Sequence, residues 1–147
     1  MSNYLISGDV FKELNNQLEY LKNNKRDIVD AKYRKPCKDR EKLIEVIEKY
    51  IEMISKVINN SNNLTEESKG SPFVTVNSEV EVEDMDDNEI CKFRIVDPNQ
   101  NKIGNSQVSF LSPVGMALLM KKIGEEIDVQ TPGGICRYRI KSVKIIA

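Results

Sequence analysis

A change of hydrophobic period near residue 70 is the feature that most limits what this chain can fold into. Before that point, apolar residues recur every three or four positions, as on one face of an α-helix. After it, they alternate with polar residues, as in a strand with one buried face. A chain of 147 residues has room for one ordinary domain, or for a small domain with an appendage. The sequence therefore predicts an α+β protein in which a helical part precedes a small β domain.

Two helices are predicted in the first part. Their apolar stripes, at heptad-like spacing, are Phe11, Leu14, Leu18, Leu21 and Ile28, and then Leu43, Ile47, Tyr50, Ile54 and Val57. Asp9, or Ser7 before it, is suited to cap the first helix. Because Pro36 cannot lie inside a helix, a turn is expected near residues 34–38. Two arms of similar length predict an antiparallel helical hairpin over residues 1–60, which either projects into solvent or folds flat on the second part.

The rest of the chain is predicted to be a linker and a β domain. Asn, Ser, Gly and Pro dominate residues 61–72, which is typical of a linker. Residues 73–147 predict a small antiparallel sheet with one short helix. The expected strands are 74–82, 90–96, 107–111, 126–131 and 135–146. Ser112 and Pro113 are the residue types of a helix cap and a first helical position, so they predict a helix over 114–122 that Gly124 ends.

Composition excludes several kinds of function. The chain has no histidine, which excludes Ser-His-Asp and Cys-His catalysis and histidine-ligated metals. Its three cysteines, Cys37, Cys91 and Cys136, form no zinc motif and no disulfide framework, so we expect reduced thiols. A net charge of −1 excludes a diffuse polycation on nucleic acid. No apolar run approaches about 20 residues and no signal peptide is recognisable, so a cytoplasmic protein without membrane contact is expected.

Residues 112–134 carry the most specific pattern. It consists of Ser112-Pro113, then Ala117-Leu118-Leu119, then Lys121-Lys122-Ile123-Gly124, an acidic strand, and finally Thr131-Pro132-Gly133-Gly134. This pattern resembles the C-terminal domain of the Gre transcription factors. Residues 93–98 are similar to that family's Tyr-Arg-Ile-Val-Gly-Pro stretch, and residues 8–22 are similar to the start of its coiled coil. Residues 112–119 also resemble the Gre-related regulators of nucleoside diphosphate kinase.

The resemblance implies both an architecture and a partner. In the Gre family, an antiparallel coiled-coil finger is joined to an FKBP-like domain with a small antiparallel sheet. That domain docks on the rim of the secondary channel of bacterial RNA polymerase, and the finger enters the channel. For this chain, the polymerase-docking residues implied by the resemblance are Leu111, Ser112 and Pro113. The structural alternative is that Ser112 and Pro113 only begin a helix, and a helix cap contributes about 1 kcal/mol to stability.

The predicted finger tip departs from the family. Cleavage-stimulating Gre factors carry two acidic residues there, which help to hold a second Mg²⁺ in the polymerase active site. Residues 22–42 of this chain instead contain nine Lys or Arg and only four Asp or Glu. The tip residues are Lys32, Arg34, Lys35, Lys38, Asp39, Arg40 and Glu41. The basic members predict contact with an acidic polymerase surface or RNA phosphate, or are simply a soluble loop.

Two pairs of acidic residues are candidates to replace the missing pair. Asp39 and Glu41 follow the predicted turn, but residues two apart on a helix point in different directions, and lysines and an arginine interleave them. Asp27 and Asp30 share a face, two turns short of the tip. All four are also ordinary residues for a solvated helix surface with intrahelical ion pairs.

The favoured hypothesis is therefore a noncatalytic regulator of elongation or initiation. It would bind bacterial RNA polymerase as a monomer without a cofactor, and would contact RNA or DNA only indirectly. The alternative is a transcript cleavage factor that uses Mg²⁺ held by the polymerase. A third hypothesis, an FKBP-like isomerase or chaperone, is disfavoured because few rings are available for an aromatic pocket. The rings of the second part are Phe73, Phe93, Phe110 and Tyr138.

Overall fold

The chain forms two compact units, Met1–Ser68 and Lys69–Ala147. The computed structural model describes residues 4–59, 61–64, 71, 73–97 and 107–146. The first unit holds two long helices and a short pair of strands, and the second holds a five-stranded sheet with one short helix. This arrangement confirms the predicted α+β class. Across the described ranges, no helix is both long and apolar enough to cross a membrane.

The two long helices form an antiparallel hairpin, as predicted. Helix α1 runs from Gly8 to Lys32 and helix α2 from Lys38 to Asn59, so the turn falls within one residue of its predicted place. Three side-chain contacts show that the helices are antiparallel, because residues further along α1 contact residues that come earlier in α2. They are Gln17 with Tyr50, Lys25 with Glu48, and Asp30 with Arg40.

The apolar stripes form the seam between the helices. All five residues predicted for α2 are buried. In α1, four of the five predicted residues are buried, but Phe11 is half-buried, and the seam also includes Val10 and Val29. Val10 and Ile28 are 18 residues apart, which is five turns of an α-helix, so they lie on the same face, and Val10 is buried in place of its neighbour Phe11.

A buried hydrogen bond crosses this seam. The Tyr50 hydroxyl donates to Gln17 Oε1 at 2.6 Å, and Gln17 Nε2 donates to Glu13 Oε2 at 2.7 Å. Tyr50 is 1% exposed and Gln17 is 7% exposed. Polar pairs at seam positions favour one helix register, because a slipped register would bury them without their partners.

Substitution at both ends of this bond tests its contribution. We expect Tyr50→Phe to lower the free energy of unfolding by about 1 kcal/mol, since it removes one buried hydrogen bond. Gln17→Leu should lower it somewhat more, since it also removes the hydrogen bond to Glu13. The double variant should lose less than the two single variants together, because the two residues share that bond. Urea unfolding followed by the helical circular dichroism signal measures this coupling. Strictly additive losses would contradict it.

A short parallel strand pair lies at the open end of the hairpin. Strand β1 covers Tyr4–Ser7 and strand β2 covers Ser61–Leu64, with Tyr4 opposite Ser61 and Ser7 opposite Leu64. This differs from the sequence interpretation, which assigned residues 61–64 to a linker. Backbone hydrogen bonding makes the strand, and the Asn- and Ser-rich composition gave no sign of it.

The second unit is built around one mixed sheet. Its strands are β3 (Ser78–Asp84), β4 (Glu89–Val96), β5 (Gln107–Ser109), β6 (Glu126–Thr131) and β7 (Gly134–Ile145). They lie in the order β5-β4-β3-β7-β6. All pairs are antiparallel except β4 and β5, which are parallel, so the prediction of a purely antiparallel sheet was wrong at this edge. The FKBP-like topology implied by the resemblance stays a prediction.

One face of the sheet forms the core with helix α3, which covers Pro113–Leu118. Alternate strand residues are buried there, including Val80, Val82, Ile127, Val129 and Ile140. Three predicted elements are shorter than expected, and one of them is β5, which covers Gln107–Ser109 and not 107–111. Val74 and Val76 are buried but precede β3, so their alternation reflects burial without strand pairing. Helix α3 ends at Leu118, six residues before Gly124.

The other face of the sheet carries charges whose sign alternates from strand to strand. Arg139 on β7 lies between Glu83 of β3, at 4.0 Å, and Glu126 of β6, at 3.2 Å. Arg137 of β7 pairs in the same way with Asp128 of β6, at 3.0 Å. Exposed ion pairs of this kind each contribute little, about 0–1 kcal/mol. The face is therefore charged, but most of its charges are paired with opposite charges on the neighbouring strand.

Candidate functional site

The start of α3, which the family resemblance implies is a docking site, is a capped helix end. Ser112 has an extended backbone, with φ −77° and ψ 160°, and its Oγ accepts a hydrogen bond from Gly115 N at 3.1 Å. The same hydroxyl donates to the Ser109 carbonyl at 2.7 Å. Pro113 occupies the first helical turn, where a missing N–H has no cost. Ser112 therefore fixes this corner by bonding in both directions.

A close backbone approach holds α3 against the end of β5. A Cβ atom added to Gly115 would lie 2.0 Å from the Ser109 carbonyl oxygen and 2.8 Å from its carbonyl carbon. No side chain fits that space, so glycine is required at this position for steric reasons. Because Ser109 O also accepts from Ser112 N at 3.0 Å, the strand end and the helix start form one rigid corner.

The three predicted docking residues differ in exposure. Leu111 is buried, with 6% of its surface exposed, so it supports the corner from inside. Ser112 is half-buried and engaged as the cap. Pro113 is exposed and presents its ring to solvent. Of the three, Pro113 therefore offers the most side-chain surface to a partner.

The turn between α1 and α2 is held by Arg40. Its guanidinium forms an ion pair with Asp30 at 2.8 Å and donates to the Tyr33 carbonyl. The Cys37 thiol accepts from Arg40 N at 3.4 Å, and the Cys37 carbonyl accepts from Glu41 N at 3.1 Å, so Cys37 stands at the cap position of α2. Arg40 is thus a structural residue of the turn as well as a basic one.

The other predicted tip residues lie on the surface. Exposed side chains are those of Lys32, Arg34, Lys35, Lys38, Asp39 and Glu41. Partial burial raises the pKa of the Tyr33 hydroxyl, and the negative charges of Asp39 and of an ionised Cys37 raise it further. Tyr33 therefore stays a neutral hydroxyl at physiological pH. The tip has four exposed basic side chains against two exposed carboxylates.

A shallow hollow of about 620 Å³ lies beside the turn. Its lining residues are Arg26, Asp27, Asp30, Ala31, Arg34 and Arg40. The sequence had indicated that Asp27 and Asp30 share a face, and both do line this hollow. It missed that three arginines line the same hollow and that Arg40 binds Asp30 directly. This positive charge beside the two carboxylates is unfavourable for a divalent cation.

Comparison with known proteins extends this description. Residues 69–145 match the family model for the C-terminal domain of the transcription elongation factors GreA and GreB. The chain is 34% identical over 157 aligned positions to transcription elongation factor GreA of Clostridium acetobutylicum, covering 96% of each chain. It is 32% identical to the GreA of Clostridium novyi, covering 97% of this chain and 96% of that one. Its fold is similar to a GreA/GreB structure from Nitrosomonas europaea, with a TM-score of 0.50, 23% identity, and coverage of 98% and 99%.

Proposed function

Because this chain belongs to the GreA/GreB family of transcription elongation factors, we propose that it is a noncatalytic regulator that binds bacterial RNA polymerase. It would bind at the secondary channel and modulate transcription elongation or initiation. The relatives that share this family are named as elongation factors, and the chain aligns with them over nearly their whole length. The narrower proposal, regulation without stimulated cleavage, depends on the residues of the hairpin turn.

The observation that carries the noncatalytic proposal is the pairing of Asp30 with Arg40. This ion pair occupies one carboxylate near the turn with a guanidinium at 2.8 Å. Asp39 and Glu41 are exposed, but Lys38 and Lys42 flank them, also exposed, on the first turn of α2. Stimulated cleavage needs carboxylate oxygens that are free to help hold Mg²⁺. The basic tip is better suited to an acidic polymerase surface or to RNA phosphate.

The docking part of the proposal uses the corner at the start of α3. Pro113 is the exposed contact residue, Ser112 holds the corner, and Leu111 supports it from the core. A preformed corner of this kind loses little conformational entropy when it binds a partner. We expect a cytoplasmic monomer without a cofactor of its own. Any contact with RNA or DNA would occur inside the transcription complex.

A transcript cleavage assay tests the proposal. The purified protein is mixed with a backtracked elongation complex of its own host's RNA polymerase and Mg²⁺, and the RNA is separated on a gel. A known Gre factor is added to the same tubes afterwards. We expect intact RNA at first and a blocked Gre factor later, because the protein would occupy the channel without supplying the acidic pair.

The other outcomes are equally informative. If the protein alone shortens the RNA, and Asp39→Asn with Glu41→Gln abolishes this, the cleavage alternative is correct. If the RNA stays intact and the known factor works at its normal rate, the protein does not compete for the channel and the proposal is wrong. Lys12→Gln, an exposed change on the first turns of α1, serves as the control variant in each arm.

A further inference from the structure

The turn that follows α3 exposes a large apolar side chain. Ile123 is 59% exposed and lies in the run Lys121-Lys122-Ile123-Gly124-Glu125. Within the described residues, only Ile90 and Ile135 are large hydrophobic residues of comparable exposure. Those two lie on β4 and β7, on the charged face of the sheet, whereas Ile123 is next to two lysines.

The backbone around Ile123 is fixed by several hydrogen bonds. Glu125 N donates to the Lys122 carbonyl at 3.0 Å, and the Glu125 carboxylate accepts from Lys122 N at 3.0 Å. Gly124, with φ +93°, allows the tight turn, and its N–H donates to the Ile140 carbonyl at 2.8 Å. Ile123 is therefore presented on a turn anchored to β7, and binding through it would cost little conformational entropy.

Met120, two residues beyond the end of α3, has an unusual backbone conformation. Met120 has φ +71°, a left-handed conformation that costs an ordinary side chain roughly 1 kcal/mol and that helices commonly reserve for glycine. Hydrogen bonds hold it there, from Met120 N to the Val74 carbonyl and from Val74 N to the Lys121 carbonyl, both at 2.8 Å. Strained residues of this kind concentrate at functional sites.

The outer side of α3 connects this turn with the proposed docking corner. Gly115 and Leu118 are buried, whereas Met116 and Ala117 are half-buried. Apolar residues with exposed or half-buried side chains continue from the helix into the turn, namely Pro113 and Met116 in α3 and Met120 and Ile123 after it. The helix itself spans only about 9 Å, so both of its ends lie within one contact surface of ordinary size.

We propose that Ile123, with Lys121 and Lys122, is a second polymerase contact, at the opposite end of α3 from Pro113. This inference rests on the proposed function. The partner surface it fits is an apolar recess bordered by carboxylates, because two lysines stand beside the isoleucine. The nearby Glu125 carboxylate is engaged by a backbone N–H of the same turn. Charge complementarity thus favours an acidic polymerase surface as the partner.

Binding of the full-length protein to immobilised host RNA polymerase tests this inference. We expect Ile123→Ser to raise the Kd at least tenfold while the melting temperature stays within a degree or two of the parent. Ile135→Ser is the matched control, because that isoleucine is 65% exposed at the β6–β7 hairpin, and its Kd should stay within twofold. Lys122→Gln should weaken the dependence of the association rate on salt.

Three results would overturn the inference, and they are distinguishable. If Ile123→Ser binds like the parent while Pro113→Glu does not bind, the second contact is wrong and the docking corner stands. If the parent itself does not bind polymerase, the proposed function fails and this inference falls with it. If Ile123→Ser changes the sedimentation of the protein without changing polymerase binding, the isoleucine joins two copies of the chain.

Discussion

Replacing Gly115 with alanine is expected to destabilise the second unit by about 3 kcal/mol. The new Cβ would lie 2.0 Å from a backbone oxygen, Ser109 O, which cannot rotate away as a flexible side chain can. The start of α3 would have to move, and the Ser112 hydrogen bonds to Gly115 N and Ser109 O would be lost with it. Both the steric cost and the lost cap therefore act in the same direction.

Thermal unfolding and amide hydrogen exchange measure this effect. For a unit of this size, a loss of 3 kcal/mol lowers the melting temperature by at least about 12 °C. Faster exchange should appear in β3–β7 and not in the α1–α2 hairpin, since the two form separate compact units. Gly8→Ala is the control, because no atom lies within 4 Å of the added Cβ there. A Gly115→Ala protein that melts within two degrees of the parent would show that the corner is not tightly packed.

Replacing Pro113 with glutamate is expected to weaken polymerase binding by tenfold or more while leaving the fold intact. The ring of Pro113 is exposed, so its removal creates no cavity. Glutamate is also favourable in the first turn of a helix, where it interacts with the positive end of the helix dipole. At the proposed interface, however, the change places a charge where an apolar ring would be buried, and an unpaired buried charge is costly.

The measurement compares affinity with stability in the same preparations. Pro132→Glu is the matched control, because Pro132 is another exposed proline of the second unit, in the turn before β7. We expect this control to bind polymerase like the parent. Equal loss of folding and binding in Pro113→Glu would refute the docking assignment. If both binding and folding are unchanged, the polymerase interface does not include the start of α3.

The elements that depend on side-chain pattern were predictable from the sequence. All five stripe residues of α2 are buried, since period and burial have the same cause in a two-helix seam. Strand β6 has its predicted bounds, Glu126–Thr131, because polar and apolar residues alternate along it and a Pro-Gly-Gly turn follows. The hairpin turn followed from Pro36 in the same direct way.

The elements that depend on backbone pairing were not predictable. Alternation gives no strand direction, so it could not indicate that β5 lies parallel to β4. Residues 61–64 have a loop-like composition, yet they pair with β1. Nor could composition show that α3 ends at Leu118, or that Met120, two residues later, takes a left-handed conformation. That conformation is held by hydrogen bonds to Val74, which lies 46 residues earlier in the chain.

The candidate site was partly predictable in the same sense. The Ser-Pro pair marked the helix cap, and the cap is present at Ser112. Its neighbour Leu111 was assigned to the docking surface, but it is buried, because strand β5 ends just before it and turns it into the core. In the sequence, Ile123 is distinguished only as part of the pattern over residues 112–134. The exposure of its side chain depends on a turn that is held by a hydrogen bond to β7. The sequence indicated that turn only by an isoleucine followed by a glycine.

The parallel pairing of β1 with β2 has a mechanical consequence. The chain enters the hairpin through β1 and leaves it through β2, and both strands run in the same direction. Tension applied at Tyr4 and Leu64 would pull the strands past each other along their length. All the interstrand hydrogen bonds would then be loaded together, instead of breaking one after another as in an unzipping pair. The strand pair therefore acts as a shear clamp, which keeps a pulling force on the chain from separating the two long helices at their open end.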